Sequence, residues 1–306
     1  MSPPDEVTPR VVAPGTRATL AAGETVLLID HKRRRSLVTL QVGRTWHSHA
    51  GALEHDVVIG QHEGTAVRTN RNLELVVLRP TREDFTLKMK RAAQVVYAKD
   101  QAMILALADV RPGSTVIEAG AGSGALSLAL LDAVGPSGHV HAFEVRPEHA
   151  VVARRNVVGY LGDLPAHWTL HEGDVRDGLA SLDAERVILD LVDPWTLVPG
   201  IATALAPGGI VCAYLPSVPQ VMRLTQTLRD DGRFAEIRTS ETLVRGWDVD
   251  GLAVRPAHRM VAHTAFITTA RRVPSPAEGG PTPRPSRANG AEVAWIDAAP
   301  EGDGPS

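Results

Sequence analysis

A glycine-rich turn between an apolar segment and a helical one is the feature that most limits how this chain can fold. The stretch Val116-Ile-Glu-Ala-Gly-Ala-Gly-Ser-Gly-Ala125 predicts a buried strand over residues 114–119 and a helix over 124–134. Three glycines keep side chains away from the backbone of the turn, and the first N–H groups of a helix have no partner within it. The pattern therefore predicts a strand–turn–helix unit with a binding crevice for a polar ligand.

From residue 101 onward, apolar strands alternate with helical segments. Repeated units of this length are typical of a mainly parallel sheet with helices on both faces, so we expect a Rossmann-like, doubly wound α/β fold. The last two strands can form a closing antiparallel pair. The predicted strands are 114–119, 139–144, 168–171, 186–191, 210–215, 235–243 and 263–270, and the predicted helices are 101–109, 124–134, 147–159, one from about 197, and 218–231.

The first 80 residues follow a different pattern. Short β-branched runs separated by glycines, such as Thr25–Ile29, Ser36–Val42 and Leu73–Leu78, predict a small all-β domain. The predicted organisation is a flexible N-terminus over 1–15, the β-domain over 16–80, a linker over 81–100 with a short helix at 85–93, the α/β domain over 101–272 and a disordered tail over 273–306.

The C-terminal tail accounts for the net charge of the chain. Residues 273–306 are rich in proline and glycine and carry five acidic residues against two arginines, which equals the whole formal net charge of −3. This composition cannot bury enough apolar surface to fold, and we interpret its apolar patch Val293–Ile296 as a stray rather than a docking element. The rest of the chain is neutral, so a polyanion would have to be held by local basic groups, of which 31–35 and 88–91 are the densest.

Cysteine usage and the N-terminus predict a cytoplasmic protein. The single cysteine, Cys212, excludes a disulfide framework or a thiolate metal cluster within one chain. No basic segment followed by an apolar one opens the sequence, and no run approaches the roughly 20 apolar residues that span a bilayer, so we expect neither secretion nor membrane insertion. The histidines at 47, 49, 55 and 62 are interpreted as surface residues, and no metal is expected.

Three acidic residues lie at the predicted ends of consecutive strands. Glu118 would repel a pyrophosphate but attract the ammonium group of a methionine moiety. Glu144 can accept hydrogen bonds from both hydroxyls of a ribose. Asp174 can accept one from an adenine amino group. The three together favour S-adenosyl-L-methionine over NAD, although the glycines alone also satisfy a dinucleotide-binding pattern.

A second acidic motif, Leu189-Asp-Leu-Val-Asp-Pro-Trp195, follows the next predicted strand. It places a carboxylate and a flat aromatic ring at the carboxyl edge of the sheet, where doubly wound folds bind their substrates. Asp190 could accept a hydrogen bond from an exocyclic amine. Trp195 could pack near a planar base or simply wall the core, and the core interpretation is favoured.

Several linked stretches resemble the tRNA (adenine-58, N1)-methyltransferases in their bacterial and archaeal single-subunit form. The resemblance covers about Ala22 to Arg272. The glycine motif is generic, whereas the Tyr-x-Lys-Asp, Asp-x-x-x-Pro-Trp and His-Arg-Met-Val-x-His-Thr stretches are more specific. The stretches that carry it are Leu78-Arg-Pro-Thr-Arg-Glu-Asp-Phe85, Met89-Lys-Arg-Ala-Ala-Gln-Val-Val-Tyr-Ala-Lys-Asp100, Glu118-Ala-Gly-Ala-Gly-Ser-Gly124, Asp190-Leu-Val-Asp-Pro-Trp195, Ala213-Tyr-Leu-Pro216 and His258-Arg-Met-Val-Ala-His-Thr-Ala-Phe266.

The resemblance implies a class I methyltransferase that acts as a homotetramer and methylates N1 of an adenosine at position 58, in the T-loop of tRNA. It implies that Asp190 is the catalytic or base-holding aspartate and that Tyr97 lies near the cofactor methionine and the target adenine. The family commonly has proline where this chain has Ala98. With the residues argued above, the predicted cofactor contacts are Glu118, Gly120, Gly122, Ser123, Gly124, Ala125, Leu126, Glu144, His149, Asp174, Val175 and Asp190, and the predicted substrate contacts are Lys88, Lys90, Arg91 and Trp195 with part of 32–35.

Three other functions fit part of the pattern, one of which is a non-catalytic RNA-binding protein that retains the fold. A methyltransferase of the same fold that acts on a small molecule or a protein would have the same cofactor half. An NAD-dependent oxidoreductase would share the glycine turn and Glu144.

Overall fold

The structure is a computed structural model that describes residues 10–49, 51–92 and 94–280. The apolar patch Val293–Ile296, most of the predicted tail and residues 1–9 lie outside the described residues. Within the described part of the chain, no helix is long and apolar enough to cross a membrane.

An antiparallel sheet forms the N-terminal region, as the glycine-punctuated runs predict. Its strand order is β2-β1-β6-β5, and buried aliphatic side chains from these strands form a separate small core. A two-stranded hairpin, which the sequence patterns did not predict, lies beside it. The strands are β1 (Thr25–Asp30), β2 (Arg35–Thr39), β3 (Thr45–Ser48), β4 (Gly51–Glu54), β5 (Ala66–Arg68) and β6 (Glu74–Leu78), with β3 and β4 forming the hairpin.

Helix α1 (Arg82–Lys88) follows. It begins and ends earlier in the chain than the helix that was predicted over 85–93. A capping box fixes its start, because the Thr81 hydroxyl accepts a hydrogen bond from the Asp84 N–H at 3.1 Å while the Asp84 carboxylate accepts one from the Thr81 N–H. The helix ends because the backbone is extended at Met89. Residues 90–92 and 94–97, here called the strap, form no helix or strand and lead to α2.

A seven-stranded, mainly parallel sheet with order β12-β15-β11-β10-β7-β8-β9 forms the second region, which confirms the predicted fold class. Strands β12 and β15 form the expected antiparallel pair at one edge. The strands are β7 (Thr115–Ala119), β8 (His139–Glu144), β9 (Trp168–Glu172), β10 (Arg186–Leu189), β11 (Ile210–Leu215), β12 (Phe234–Glu241) and β15 (Phe266–Arg272).

Helices cover both faces of this sheet and divide its core in two. Helix α3 packs on one face with eight of its ten residues buried, and α5 packs on the other. The sequence did not predict the short hairpin of β13 and β14 before the last strand. The remaining elements are α2 (Ala98–Leu107), α3 (Ala125–Val134), α4 (Pro147–Leu161), α5 (Val198–Ala204), α6 (Val218–Asp231), β13 (Trp247–Asp250) and β14 (Ala253–Pro256).

Strand order reverses between β7 and β10. The chain proceeds from β7 to β8 and β9 on one side and returns to β10 and β11 on the other. Loops leaving the carboxyl ends of β7 and β10 therefore diverge, and ligands of open α/β sheets bind in the crevice at such a point.

Candidate functional site

The glycine turn and Asp190 meet at this crevice. A Cβ added at Gly120 would lie 2.2 Å from the Asp190 carbonyl oxygen, so only glycine allows the two strand ends to approach so closely. Gly124 has a left-handed φ of 80°, and an added Cβ there would lie 3.2 Å from the backbone of Ala153 in α4. Two of the three glycines therefore allow close contacts between backbone segments. The sequence had suggested only that the glycines leave an open surface for a ligand.

Glu144 lies at the end of β8 and holds the turn in place. Its Oε2 accepts a hydrogen bond from the Gly122 N–H at 2.8 Å, and its Oε1 accepts one from the Arg146 N–H at 3.0 Å. The side chain is almost fully buried. An ionised carboxylate offers about four lone-pair positions, so Glu144 retains acceptor capacity.

Asp174 begins the loop after β9, next to buried Val175. It caps a short 3-10 helix by accepting a hydrogen bond from the Arg176 N–H at 2.9 Å, and it also accepts one from the Arg176 guanidinium at 2.6 Å. The backbone and side-chain hydrogen bonds from Arg176 lower the pKa of Asp174. This carboxylate is therefore ionised at neutral pH.

These strand ends line a cavity of about 390 Å³, here called the Glu144 cavity. Of the predicted cofactor contacts, it is lined by Gly120, Glu144, Asp174, Val175 and Asp190. The other predicted cofactor contacts, which do not line this cavity, are Glu118, Gly122, Ser123, Gly124, Ala125, Leu126 and His149.

Glu118 lies behind the turn and is fully buried. Its Oε2 accepts a hydrogen bond from the Ser127 hydroxyl at 2.5 Å, and its Oε1 has no partner among the described residues. Burial raises the pKa of Glu118 to about 8, with further contributions from the nearby Asp190 and Glu144 carboxylates. The buried Nδ1 of His149 also has no partner in the described part of the chain.

A second cavity, of about 360 Å³, adjoins the same edge and is here called the Tyr214 cavity. Asp190 lines both cavities. Its position between them follows from β10 ending at Leu189, two residues earlier than predicted, so that Asp190 is the first residue of the loop. The residues lining the Tyr214 cavity are Gln94, Val95, Tyr97, Asp190, Tyr214, Pro216, Val261, His263 and Thr264.

The carboxyl group of Asp190 is poised to titrate. Its pKa is raised to about 7, chiefly by burial and also by the neighbouring Glu144 carboxylate, while Arg146 opposes the shift. A carboxylate placed between two cavities at this pKa can accept a hydrogen bond or bind positive charge on either side.

A buried hydrogen-bond network holds Tyr214 and Thr264 in the wall of the Tyr214 cavity. The Tyr214 hydroxyl donates to Asp100 Oδ2 at 3.2 Å, and the Thr264 hydroxyl donates to the same oxygen at 2.7 Å. Asp100 is fully buried and forms an ion pair with Lys99 at 2.7 Å. Because Tyr214 donates its proton to Asp100, its oxygen presents acceptor lone pairs elsewhere, and burial raises the pKa of the phenol.

Two more polar groups border the Tyr214 cavity. Tyr97 precedes α2, and its hydroxyl accepts a hydrogen bond from Gln94 at 3.2 Å. The ring of His263 lies between Glu241 Oε1, at 2.7 Å from Nδ1, and the Pro216 carbonyl oxygen, at 3.1 Å from Nε2. These contacts raise the pKa of His263, the Glu241 hydrogen bond contributing most. The structure thus brings Tyr97 and Asp190, both predicted catalytic residues, to one cavity.

The predicted substrate contacts lie outside both cavities. Lys88, Lys90 and Arg91 are exposed at the end of α1 and the start of the strap. Trp195 is half-buried against the second core cluster, and the Arg223 guanidinium lies 4.6 Å from its ring centroid. Their contact with a substrate remains a prediction.

Sequence reasoning did not select Tyr214, Thr264 or the Lys99–Asp100 pair as site residues. Each lies inside a stretch that was quoted for the family resemblance, and Tyr214 is a polar group within an otherwise apolar strand. That contrast was the available signal, since contacts such as Tyr214 with Asp100 join residues 114 positions apart.

The structure corrects one of the four histidine interpretations. His55 is buried, not at the surface, and its Nδ1 accepts a hydrogen bond from the Gln41 N–H at 3.0 Å. Histidines 47, 49 and 62 are exposed. Over residues 10–49, 51–92 and 94–280, no group of three or more potential ligands could hold a metal ion.

Comparison with known families identifies both regions of the chain. Residues 75–255 match the family described as tRNA methyltransferase complex GCD14 subunit, and residues 19–67 match the TrmI-like N-terminal family.

Curated relatives match over most of the chain. The tRNA (adenine(58)-N(1))-methyltransferase TrmI of Thermus thermophilus is 37% identical over 81% of this chain and 96% of its own length. The tRNA (adenine(57)-N(1)/adenine(58)-N(1))-methyltransferase TrmI of Methanocaldococcus jannaschii is 33% identical over 82% of this chain and 95% of its own length.

Solved structures have the same architecture. The crystal structure of the tRNA (m1A58) methyltransferase TrmI of Aquifex aeolicus aligns with a TM-score of 0.74 and 26% identity, over 84% of this chain and 100% of the other. A SAM-dependent O-methyltransferase of Thermotoga maritima aligns with a TM-score of 0.79 and 33% identity, over 84% of this chain and 96% of the other.

Proposed function

The chain belongs to the tRNA methyltransferase family that includes the GCD14 subunit and TrmI, and from this premise we propose how its residues perform the reaction. The enzyme transfers a methyl group from S-adenosyl-L-methionine to N1 of an adenosine in tRNA, at position 58 of the T-loop. The position of Asp190 in the walls of both the Glu144 cavity and the Tyr214 cavity carries this proposal. Residues 101–272 are assigned as the catalytic domain and 16–80 as its β-domain.

The residues around the glycine turn fit a positively charged, ribose-containing cofactor. Two buried polar atoms there, Glu118 Oε1 and His149 Nδ1, have no partner among the described residues. Glu118 does not line the Glu144 cavity, and its pKa of about 8 leaves it mostly protonated at neutral pH. We expect a bound cation to lower this pKa and so favour the negatively charged form of Glu118. S-adenosyl-L-methionine supplies, when bound, a methyl group activated by a sulfonium cation.

Glu144 is the proposed ribose acceptor, although its lone pairs are partly occupied. Oε2 already accepts the Gly122 N–H, and Oε1 accepts both the N–H and, at 3.2 Å, the Nε–H of Arg146. The Arg146 side chain is 54% exposed, so it can leave Oε1 without unfolding the turn. Each oxygen could then accept one ribose hydroxyl. Asp174, whose carboxylate is paired with Arg176, is the proposed acceptor for the adenine amine of the cofactor.

Asp190 and Tyr214 are proposed to hold the target adenine in the Tyr214 cavity. Both present acceptor atoms, which suits the N6 amine of adenine and rejects the 6-oxo group of guanine. An ionised Asp190 bonded to N6 also stabilises the positive charge that develops on the ring as N1 is alkylated. The protein otherwise acts by aligning N1 with the methyl carbon.

We propose a homotetramer, built in part through the β13–β14 hairpin. The hairpin exposes four large apolar side chains, Trp247, Val249, Leu252 and Val254, with Leu252 fully accessible to solvent. An exposed apolar patch of this kind is typical of an interface, and a second copy of the chain is the proposed occupant. Light scattering on the purified protein measures the assembly directly, and a monomer that is fully active would contradict this proposal. The cytoplasm, where tRNA is modified, is the proposed location.

Methyl transfer to unmodified tRNA tests the function. The purified protein should transfer labelled methyl from S-adenosyl-L-methionine to a tRNA transcript, and digestion to nucleosides should yield 1-methyladenosine. Thermal stabilisation by S-adenosyl-L-methionine but not by NAD should accompany it, because a ligand that binds only the native state raises its stability. Stabilisation by NAD alone, or transfer only to proteins or small molecules, would contradict the proposal.

A further inference from the structure

A large cleft lies where the N-terminal sheet meets the α/β domain, away from the residues that line the two cavities described above. Its volume is about 740 Å³. Thr25 of β1 and Thr39 of β2 form part of one wall, and α4 and the strap form the other. Buried Phe85 and Met89 contribute an apolar floor.

The charges around this cleft have one sign. Lys90, Arg154 and Arg155 line it, and none of its lining residues is acidic. This is a local excess, because the whole chain has 35 acidic residues against 32 lysines and arginines. A polyanion is favoured here, and a cationic ligand is not.

Two of the three cations are free to bind a ligand. Arg154 donates a hydrogen bond to Glu172 at 3.3 Å. Within the described part of the chain, the Lys90 ammonium and the Arg155 guanidinium have no acidic partner, and both residues are exposed. The hydroxyls of Thr25 and Thr39, 3.1 Å apart, add neutral hydrogen-bonding groups on the opposite wall.

The cleft is connected to the glycine turn through Asn156 of α4. Its Nδ2 donates to the carbonyl oxygen of Lys90 and to that of Ser123, each at 2.8 Å. The Ser123 hydroxyl accepts a further hydrogen bond from the Ala92 N–H at 2.9 Å. The strap that borders the cleft is therefore fastened to the turn that borders the cofactor site.

We propose that this cleft binds a sugar-phosphate segment of the substrate tRNA outside the methylated loop nucleotide, with Lys90 and Arg155 contacting phosphates. The proposal rests on the function proposed above, and it gives the N-terminal sheet a part in RNA binding. Phosphate contacts position an RNA without reading its sequence, which suits an enzyme that must act on many tRNAs. Arginine and lysine are the side chains that such contacts use.

Equilibrium binding of tRNA to the full-length protein, measured over a range of salt concentrations, tests this inference. Losing one phosphate contact lowers the slope of log K against log salt by about 1, and lowers affinity about fivefold near 0.15 M salt. We expect these changes in Arg155→Ala and in Lys90→Ala. The double variant should lose about thirtyfold in affinity for tRNA. Arg155→Lys should bind tRNA nearly as tightly as wild type. Arg229→Ala is the matched control, since Arg229 is an exposed arginine near the end of α6 and does not line the cleft.

The outcomes separate this inference from the proposed function. Affinity for S-adenosyl-L-methionine and kcat at saturating tRNA should stay normal in Arg155→Ala, whereas KM for tRNA should rise. A wild-type protein that methylates tRNA, together with an Arg155→Ala variant whose salt slope equals that of wild type or of Arg229→Ala, would overturn the inference alone. Dissociation of the oligomer by Arg155→Ala would also overturn it, because a second copy would then cover the cleft. A wild-type protein that neither binds nor methylates tRNA would overturn both.

Discussion

The Glu144 cavity and the Tyr214 cavity share Asp190 but are built in different ways. The Glu144 cavity is formed by consecutive strand ends, and Glu144, Asp174 and Asp190 each lie at or just after the end of a different strand. The Tyr214 cavity collects residues 94–97, 190, 214–216 and 261–264, which are far apart in sequence. The first cavity offers charge and the second offers oriented acceptors, and a single carboxylate connects them.

Asp190→Ala should have the largest effect, because it removes the group common to both cavities. We expect kcat to fall on the order of 10²–10³-fold, the usual loss when a group that stabilises developing charge is removed. Affinity for S-adenosyl-L-methionine, measured calorimetrically, should change much less. Asp163→Ala, at an exposed aspartate of the same chain, is the control and should retain wild-type turnover. Unchanged turnover in Asp190→Ala would remove Asp190 from the site.

Glu144→Gln should act mainly on cofactor binding, provided that kcat is compared well above the pKa of Asp190, which the Glu144 charge helps to raise. Hydrogen bonds to a charged group contribute about 1.5–3 kcal/mol, so the dissociation constant for S-adenosyl-L-methionine should rise roughly 10- to 100-fold while kcat at saturating cofactor changes little. Glu148→Gln, on the exposed first turn of α4, is the matched control. If kcat fell as much as in Asp190→Ala, the assignment of Glu144 to cofactor binding and of Asp190 to the reaction would be wrong.

Turnover should depend on pH through Asp190. The pKa of this partly buried carboxyl is raised to about 7, and only its ionised form accepts a hydrogen bond without donating one. Activity is therefore present above the pKa and falls about tenfold per pH unit below it. With the sulfonium cofactor saturating, the added positive charge should move the apparent pKa of kcat/KM for tRNA below 7. A flat profile would show that the ionisation of Asp190 does not control turnover. An acidic limb that persists in Asp190→Asn would assign the titration to another group.

Tyr214→Phe should have the smallest effect of the four. The substitution removes one neutral hydrogen bond to the adenine and leaves Asp100 with its contacts to Lys99 and Thr264. We expect kcat/KM for tRNA to fall about fivefold, in line with about 1 kcal/mol per hydrogen bond. Cofactor affinity should not move, and thermal unfolding shows whether the buried network survives. A loss of cofactor binding would mean that the two cavities are not separable.

The same contrast explains how much the sequence could predict. The parallel sheet, the glycine turn and the positions of Glu144, Asp174 and Asp190 follow from local patterns of strand, turn and helix. The roles of Tyr214 and Asp100 could not be predicted from spacing, because their contact depends on how β11 packs beside α2. The start of α1 was misplaced for a different reason, since the prediction followed a weak apolar periodicity and not the local Thr81–Asp84 capping box that fixes the helix start. The close approach of Gly120 to the Asp190 carbonyl also required the assembled sheet.

The most direct test of the account uses a tRNA in which the methylated adenosine is replaced by purine riboside, which keeps N1 but lacks the N6 amine. Rates for both tRNAs are measured with the wild-type enzyme and with Asp190→Ala, so that the lower nucleophilicity of the analogue cancels between enzymes. We predict that the wild-type enzyme prefers adenosine by a much larger factor than the variant does. An equal preference in both enzymes would show that Asp190 does not hold the N6 amine, and would contradict the account.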